Sequence, residues 1–145
     1  MNEKSNQEVL AEIYRNAQLA LTSIADILPE VDDTEVKKEL CAQHEGYEEI
    51  SGKAAALARR FDSEIKEPGV IKKAMMWSGI KMNTMADNSR SHIAEMMAQG
   101  TVMGITALKA SQTDSETTVS PEVDELLKEM IRMEEKYERN WKALL

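Results

Sequence analysis

The 145-residue sequence predicts an all-α protein, a bundle of four long helices with an additional short helix in the connection between helices two and three. Three observations carry that reading. Apolar residues recur three and four apart through each long segment, no stretch alternates as a strand would, and proline or a polar turn closes each period. The length suits one sizeable core and is too short for two ordinary domains, so residues 1–145 read as a single helical-bundle domain.

The first helix is expected over about 5–28, where Val9, Leu10, Ile13, Tyr14, Ala17, Ala20, Leu21, Ile24 and Leu28 share one arc. Pro29 stops it, because the residue before a proline is pushed out of the helical region. The turn through Asp33 is short, so helix two returns antiparallel beside helix one. Asp32 with Glu35 resembles a capping box, and Asp33 is the alternative cap. Helix two, about 33–61, sets Val36, Leu40, Gln43, Tyr47, Ile50, Ala54, Ala58 and Phe61 on one face. Asp62–Gly69 reads as a loop.

Val70–Ala110 is methionine-rich, holding seven of the ten methionines, and Met75, Met82, Met85, Met96, Met97 and Met103 fall in an apolar stripe that should be buried. As one helix it would reach roughly 60 Å, against about 40 Å for its neighbours. A break within Asp87–Ser91, where side-chain oxygens can cap a new helix, gives a short helix at about 70–86 and another at about 90–110. The apolar phase carries through the polar cluster, so one continuous helix is the alternative. Gly100 and Gly104 each cost about 1 kcal/mol in a helix interior, which points to a close helix crossing or to a local widening beside a ligand. Ser111–Ser120 is polar and reads as a connector or a frayed end. Ser120 as cap and Pro121 at the first helical position open the last helix, 121–145, with Val123, Leu126, Leu127, Met130, Met133, Tyr137, Trp141 and Leu144 inward.

Composition excludes several functions. The acidic chain, with a formal charge of -8 and a pI near 4.9, lacks the basic face that nucleic acid or an anionic membrane requires. No apolar run is long enough for a membrane span or a signal peptide, and the single Cys41 cannot form an intrachain disulfide, so a reducing cytoplasm is expected. Phosphate loops, nucleophile elbows and paired-histidine motifs are missing, which removes support for nucleotide-binding and hydrolase chemistry.

Gln43-His44-Glu45-Gly46-Tyr47, Trp77, the run Ser91-His92-Ile93-Ala94-Glu95-Met96-Met97-Ala98-Gln99-Gly100 and Ser120-Pro121-Glu122-Val123 together resemble an uncharacterised bacterial group within the ferritin-like superfamily. The resemblance implies a ferritin-like four-helix bundle with its extra helix in a long crossover. Di-metal centres of that architecture need about four carboxylates and two histidines at mid-bundle, with Glu-x-x-His on two helices. This chain has no Glu-x-x-His: Cys41 precedes His44 where a glutamate is wanted, Tyr137 follows Glu134 where a histidine is wanted, and His92 precedes Glu95 in reversed order.

At 100° per residue, Gln43, His44 and Glu134 fall inside apolar arcs, Tyr14, Tyr47 and Tyr137 also point inward, and Gln18, Glu48, His92 and Gln99 sit at arc edges. A mid-bundle polar cluster of Tyr14, Gln18, Gln43, His44, Tyr47, Gln99, Glu134 and Tyr137 is therefore expected. His92 and Glu95 read as a surface pair. The first functional reading is a non-catalytic bundle without a cofactor, acting through self-association or a protein partner. The alternative is an iron- or manganese-binding protein or oxidoreductase with the irregular ligand set His44, Glu48, Gln99 and Glu134.

Overall fold

The computed structural model describes residues 3–61, 87–115 and 119–145. Regular structure among these residues is helical throughout, and four long helices pack on one another. The expected short helix 70–86, the loop 62–69, Trp77, Met75, Met82 and Met85 lie outside the described residues.

Helix α1 spans Glu3–Ile27 and gives way to a 3-10 turn, Leu28–Glu30, that carries Pro29. It ends one residue earlier than the sequence suggests, because Leu28 precedes the proline and is kept from continuing the α-helix. Helix α2, Thr34–Arg60, is capped by Asp33, whose carboxylate accepts the Val36 N–H at 3.0 Å. The Asp32/Glu35 box does not form this cap; Asp32 instead accepts Asn88 Nδ2 at 3.2 Å. Arg90 Nε donates to Asp33 at 2.9 Å, and this bond, then the Val36 N–H, holds the Asp33 carboxyl below its ordinary range.

Asp87–Ser89 are not helical, which excludes one continuous helix over 70–110. Helix α3 starts at Arg90 and runs to Ser115, five residues past the expected end at 110. Polar residues cost only tenths of a kcal/mol each in a helix, roughly, and neither glycine nor proline stands between Ala110 and Ser115 to stop it. Helix α4 spans Pro121–Lys142, and Ala143–Leu145 leave the helix, with Leu145 61% exposed. Ser120 occupies the cap position without a side-chain capping bond, and its backbone N–H donates to Asn6 Oδ1 of α1 at 2.8 Å.

These end contacts fix the helix directions. Asn88 and Arg90, where α3 starts, bond Glu30, Asp32 and Asp33, where α2 starts, so α2 and α3 run the same way. Ser120 meets Asn6 at the opposite end, so α4 runs with α1. Arg60 beside Glu122 agrees, bringing the end of α2 to the start of α4. The closest pairs are α1 with α2 and α3 with α4; α2 with α4 and α1 with α3 complete the square. Every side of the square is antiparallel and both diagonals are parallel. The chain leaves α2 at one end of the bundle and enters α3 at the other.

Inside the square lie Leu10, Ile13, Ala17, Ile24, Leu40, Ile50, Ala54, Ile93, Leu108, Leu127, Met130 and Trp141. Each large side chain among them contributes about 1.5 to 3 kcal/mol by burial. The methionine stripe does not provide α3's buried face: Met96 and Met97 are partly buried, and Met103 is 73% exposed. Ala94, Ala98, Thr101, Ile105 and Leu108 face inward instead. A helix apolar on nearly every side has no unique phase; on the face that is buried, Ala94 and Ala98 let α3 approach its neighbours closely while Ile93, Ile105 and Leu108 fill the core.

Candidate functional site

Glu134, midway along α4, is the one acidic residue among the buried described residues, at 4% exposure. The Tyr47 hydroxyl of α2 donates to its Oε2 at 2.9 Å. From α3, Gly104 supplies space: a Cβ there would stand 2.9 Å from Glu134 Oε2, 3.2 Å from Oε1 and 3.4 Å from Asn16 Oδ1 of α1. Asn16 is oriented by its Nδ2, which donates to the Glu12 backbone oxygen and to Glu12 Oε1, each at 3.0 Å. All four helices thus meet around a single carboxyl group. Its Oε1 has no partner among the described residues.

Tyr137, one turn along α4, packs edge-on against Tyr47 with ring centroids 5.4 Å apart. Its hydroxyl occupies the space a side chain would take at Gly46, where a Cβ would also come within 3.1 Å of the Tyr137 ring and 3.2 Å of Met133 Sδ. Two helix-interior glycines, Gly46 and Gly104, therefore make room for the two polar groups of α4. That offsets the conformational cost of each.

Burial pushes the Glu134 carboxyl up from 4.5 to about 7, and the Tyr47 hydrogen bond opposes the shift without cancelling it. Burial and the Glu134 charge raise the Tyr47 phenol well above 10.0, while burial, then Glu39 and Glu134, push Tyr137 to about 12. Tyr47 therefore stays a donor at neutral pH. The arrangement can take up a proton at Glu134, but its burial keeps a substrate from touching it.

The other expected cluster members separate. Gln43, 1% exposed, accepts Trp141 Nε1 at 3.1 Å and donates to Glu39 Oε2 at 2.9 Å; Asn140 joins the same oxygen at 3.2 Å. Gln18 donates to Ser51 Oγ at 2.8 Å. Gln43, Tyr47 and Ser51 lie four residues apart on α2, so the structure has three rungs about 6 Å apart along α2, where the sequence suggested one level. Tyr14 is half-buried against the core.

His44 is not inside the bundle: its Nδ1 lies 3.0 Å from Glu48 Oε1 on the surface, with the side chains 37% and 61% exposed. Gln99 is exposed on α3, because the inward phase falls on Ala98 and Thr101. The alternative ligand set of His44, Glu48, Gln99 and Glu134 is therefore split between surface and interior. No group of three or more His, Cys, Asp or Glu among the described residues is arranged to hold a metal ion. Glu95 is exposed, and His92 is half-buried with its Nε2 unpartnered among the described residues. Cys41 is exposed.

Sequence reading missed Asn16, Gly46, Ser51 and the indole donor of Trp141. A glycine in mid-helix is the signal that pointed to Gly104, and Gly46 carries the same one. No described helix is long and apolar enough to cross a membrane. Comparison with known proteins found no matching family model, no matching curated protein and no matching solved structure.

Proposed function

We propose that the chain is a non-catalytic, ferritin-like helical bundle in which a polar ladder stands where related architectures hold a di-metal centre, and that it acts by association with another protein surface. Parallel α2 and α3, joined by a long connection, support the ferritin-like part, since that topology has a single long crossover. Among the described residues no three His, Cys, Asp or Glu side chains gather as a metal site, which supports the loss of the metal centre. An exposed Cys41 suits a reducing compartment such as the cytoplasm.

One observation carries the associative reading. Between Glu95 and Lys109, thirteen successive residues of α3 include no ionisable group, and Val102 and Met103 in this stretch are 41% and 73% exposed. Elsewhere the surface is densely charged, with ion pairs such as Lys53–Glu129 at 2.7 Å. An uncharged face that exposes Val102 and Met103 on such a molecule supports a docking surface.

Sedimentation velocity over a hundredfold range of protein concentration tests association. A species heavier than the 16.3 kDa monomer, reduced by Met103→Glu, is the expected result. Metal analysis of protein purified without chelator tests the rest: stoichiometric iron or manganese that disappears in Glu134→Ala would overturn it.

A further inference from the structure

Glu95, Gln99, Val102, Thr106 and Lys109 are all exposed and follow one another at spacings of four, three, four and three. That spacing draws one straight seam along the outer face of α3, the pattern by which helices pair side by side. The seam is about 21 Å long. It begins with a negative charge, ends with a positive one, and has Val102 at its midpoint, seven residues from each.

A surface with opposite charges placed symmetrically about an apolar centre is complementary to itself when reversed. We propose that two copies of this chain pair antiparallel along α3, about a two-fold axis at Val102. The inference rests on the associative reading above and names its partner. In that arrangement Val102 packs on Val102 of the second copy, Gln99 comes within about one residue of the level of Thr106, and each Glu95 faces the other copy's Lys109.

The charge balance favours a second copy over an arbitrary partner. At -8 the chain repels itself over most orientations, and between its two charged ends this stretch of α3 contributes no carboxylate to the contact. Lys109 already bonds Glu135 at 3.3 Å and keeps 54% of its side chain exposed, so it can bridge Glu135 and the incoming Glu95. Four turns of helix bury less than an obligate dimer needs, so the pairing is reversible, with a Kd on the order of micromolar.

Sedimentation of the full chain as Glu95→Lys, as Lys109→Glu and as their equimolar mixture tests the pairing, with circular dichroism to verify that each folds. Each variant alone sets like charges opposite each other at both ends and weakens self-association on the order of tenfold. The mixture restores attraction at both ends, so a heterodimer forms with near wild-type affinity. A mixture that associates no better than the single variants overturns the proposal. In a Cys41→Ser background, Val102→Cys is expected to form a dimeric disulfide with diamide, whereas Thr106→Cys, about 12 Å from its twin across the axis, is not. Association that persists without the Val102→Cys crosslink and without any response to charge reversal defeats the α3 pairing while leaving association intact. A wild-type chain that stays monomeric at all concentrations defeats both.

Discussion

Replacing Glu134 with glutamine removes an ionisation from the middle of the bundle and keeps an oxygen to accept the Tyr47 hydroxyl. In the folded protein the carboxyl titrates at about 7, against 4.5 for the ordinary group, because burial disfavours the anion. Between those two values the folded state retains a proton that the unfolded chain has released. Stability from this group is therefore fully present below pH 4.5 and is lost as pH rises through about 7. The interval from 4.5 to about 7, at about 1.4 kcal/mol per pH unit, amounts to about 3 kcal/mol. That is a large part of the roughly 5 to 15 kcal/mol expected for a folded domain. Glutamine carries no such dependence. Urea unfolding followed by circular dichroism at pH 5 and pH 8 is the assay. The advantage of Glu134→Gln over wild type should grow by about 2 to 3 kcal/mol between the two conditions. Parallel pH profiles, with the difference constant to within about 0.5 kcal/mol, would refute the assignment of a buried, neutral-pH carboxyl.

Three further outcomes follow from the same rungs. Gly104→Ala drives a methyl group against both Glu134 oxygens and should cost about 1 to 3 kcal/mol, a loss that shrinks in a Glu134→Ala background if the contact is its cause. Gly46→Ala collides with the Tyr137 hydroxyl, so Tyr137→Phe should recover part of its lost melting temperature; equal losses in both backgrounds would argue against the contact. Trp141→Phe strands the buried Gln43 carbonyl oxygen and should destabilise by about 2 to 3 kcal/mol, with Gln43→Leu losing less in the Trp141→Phe background than in wild type, as denaturant midpoints would reveal.

The four long helices, their order and most of the inward faces were legible because the apolar period of α1, α2 and α4 is strongly one-sided. Tyr47 and Glu134 fell within those faces near the middle of their helices, so their approach could be anticipated from turn geometry alone. Gln99 and Met103 could not be positioned in the same way. Helix α3 is apolar around most of its circumference, and its phase is chosen by steric fit against partners far away in sequence, notably the Glu134 carboxyl over Gly104. His44 illustrates a second limit: it lies one residue beyond Gln43, a rotation of about 100° that separates the bundle interior from a surface pair with Glu48. Asp33 rather than Asp32 caps α2 because Arg90, distant in sequence, holds the cap carboxylate in position.

The three rungs on α2 have different chemistry: indole to amide, phenol to carboxyl, and amide to hydroxyl. Leucines, isoleucines and alanines repeated every turn would tolerate a slip of one turn between helices, because one aliphatic contact substitutes for the next. With these rungs, the same slip along α4 would put Ser51 opposite Glu134 and Tyr47 level with Trp141, breaking both matched couplings at once. The hydrogen-bonded groups thus serve as an alignment code, selecting one register among several that the aliphatic contacts alone would permit.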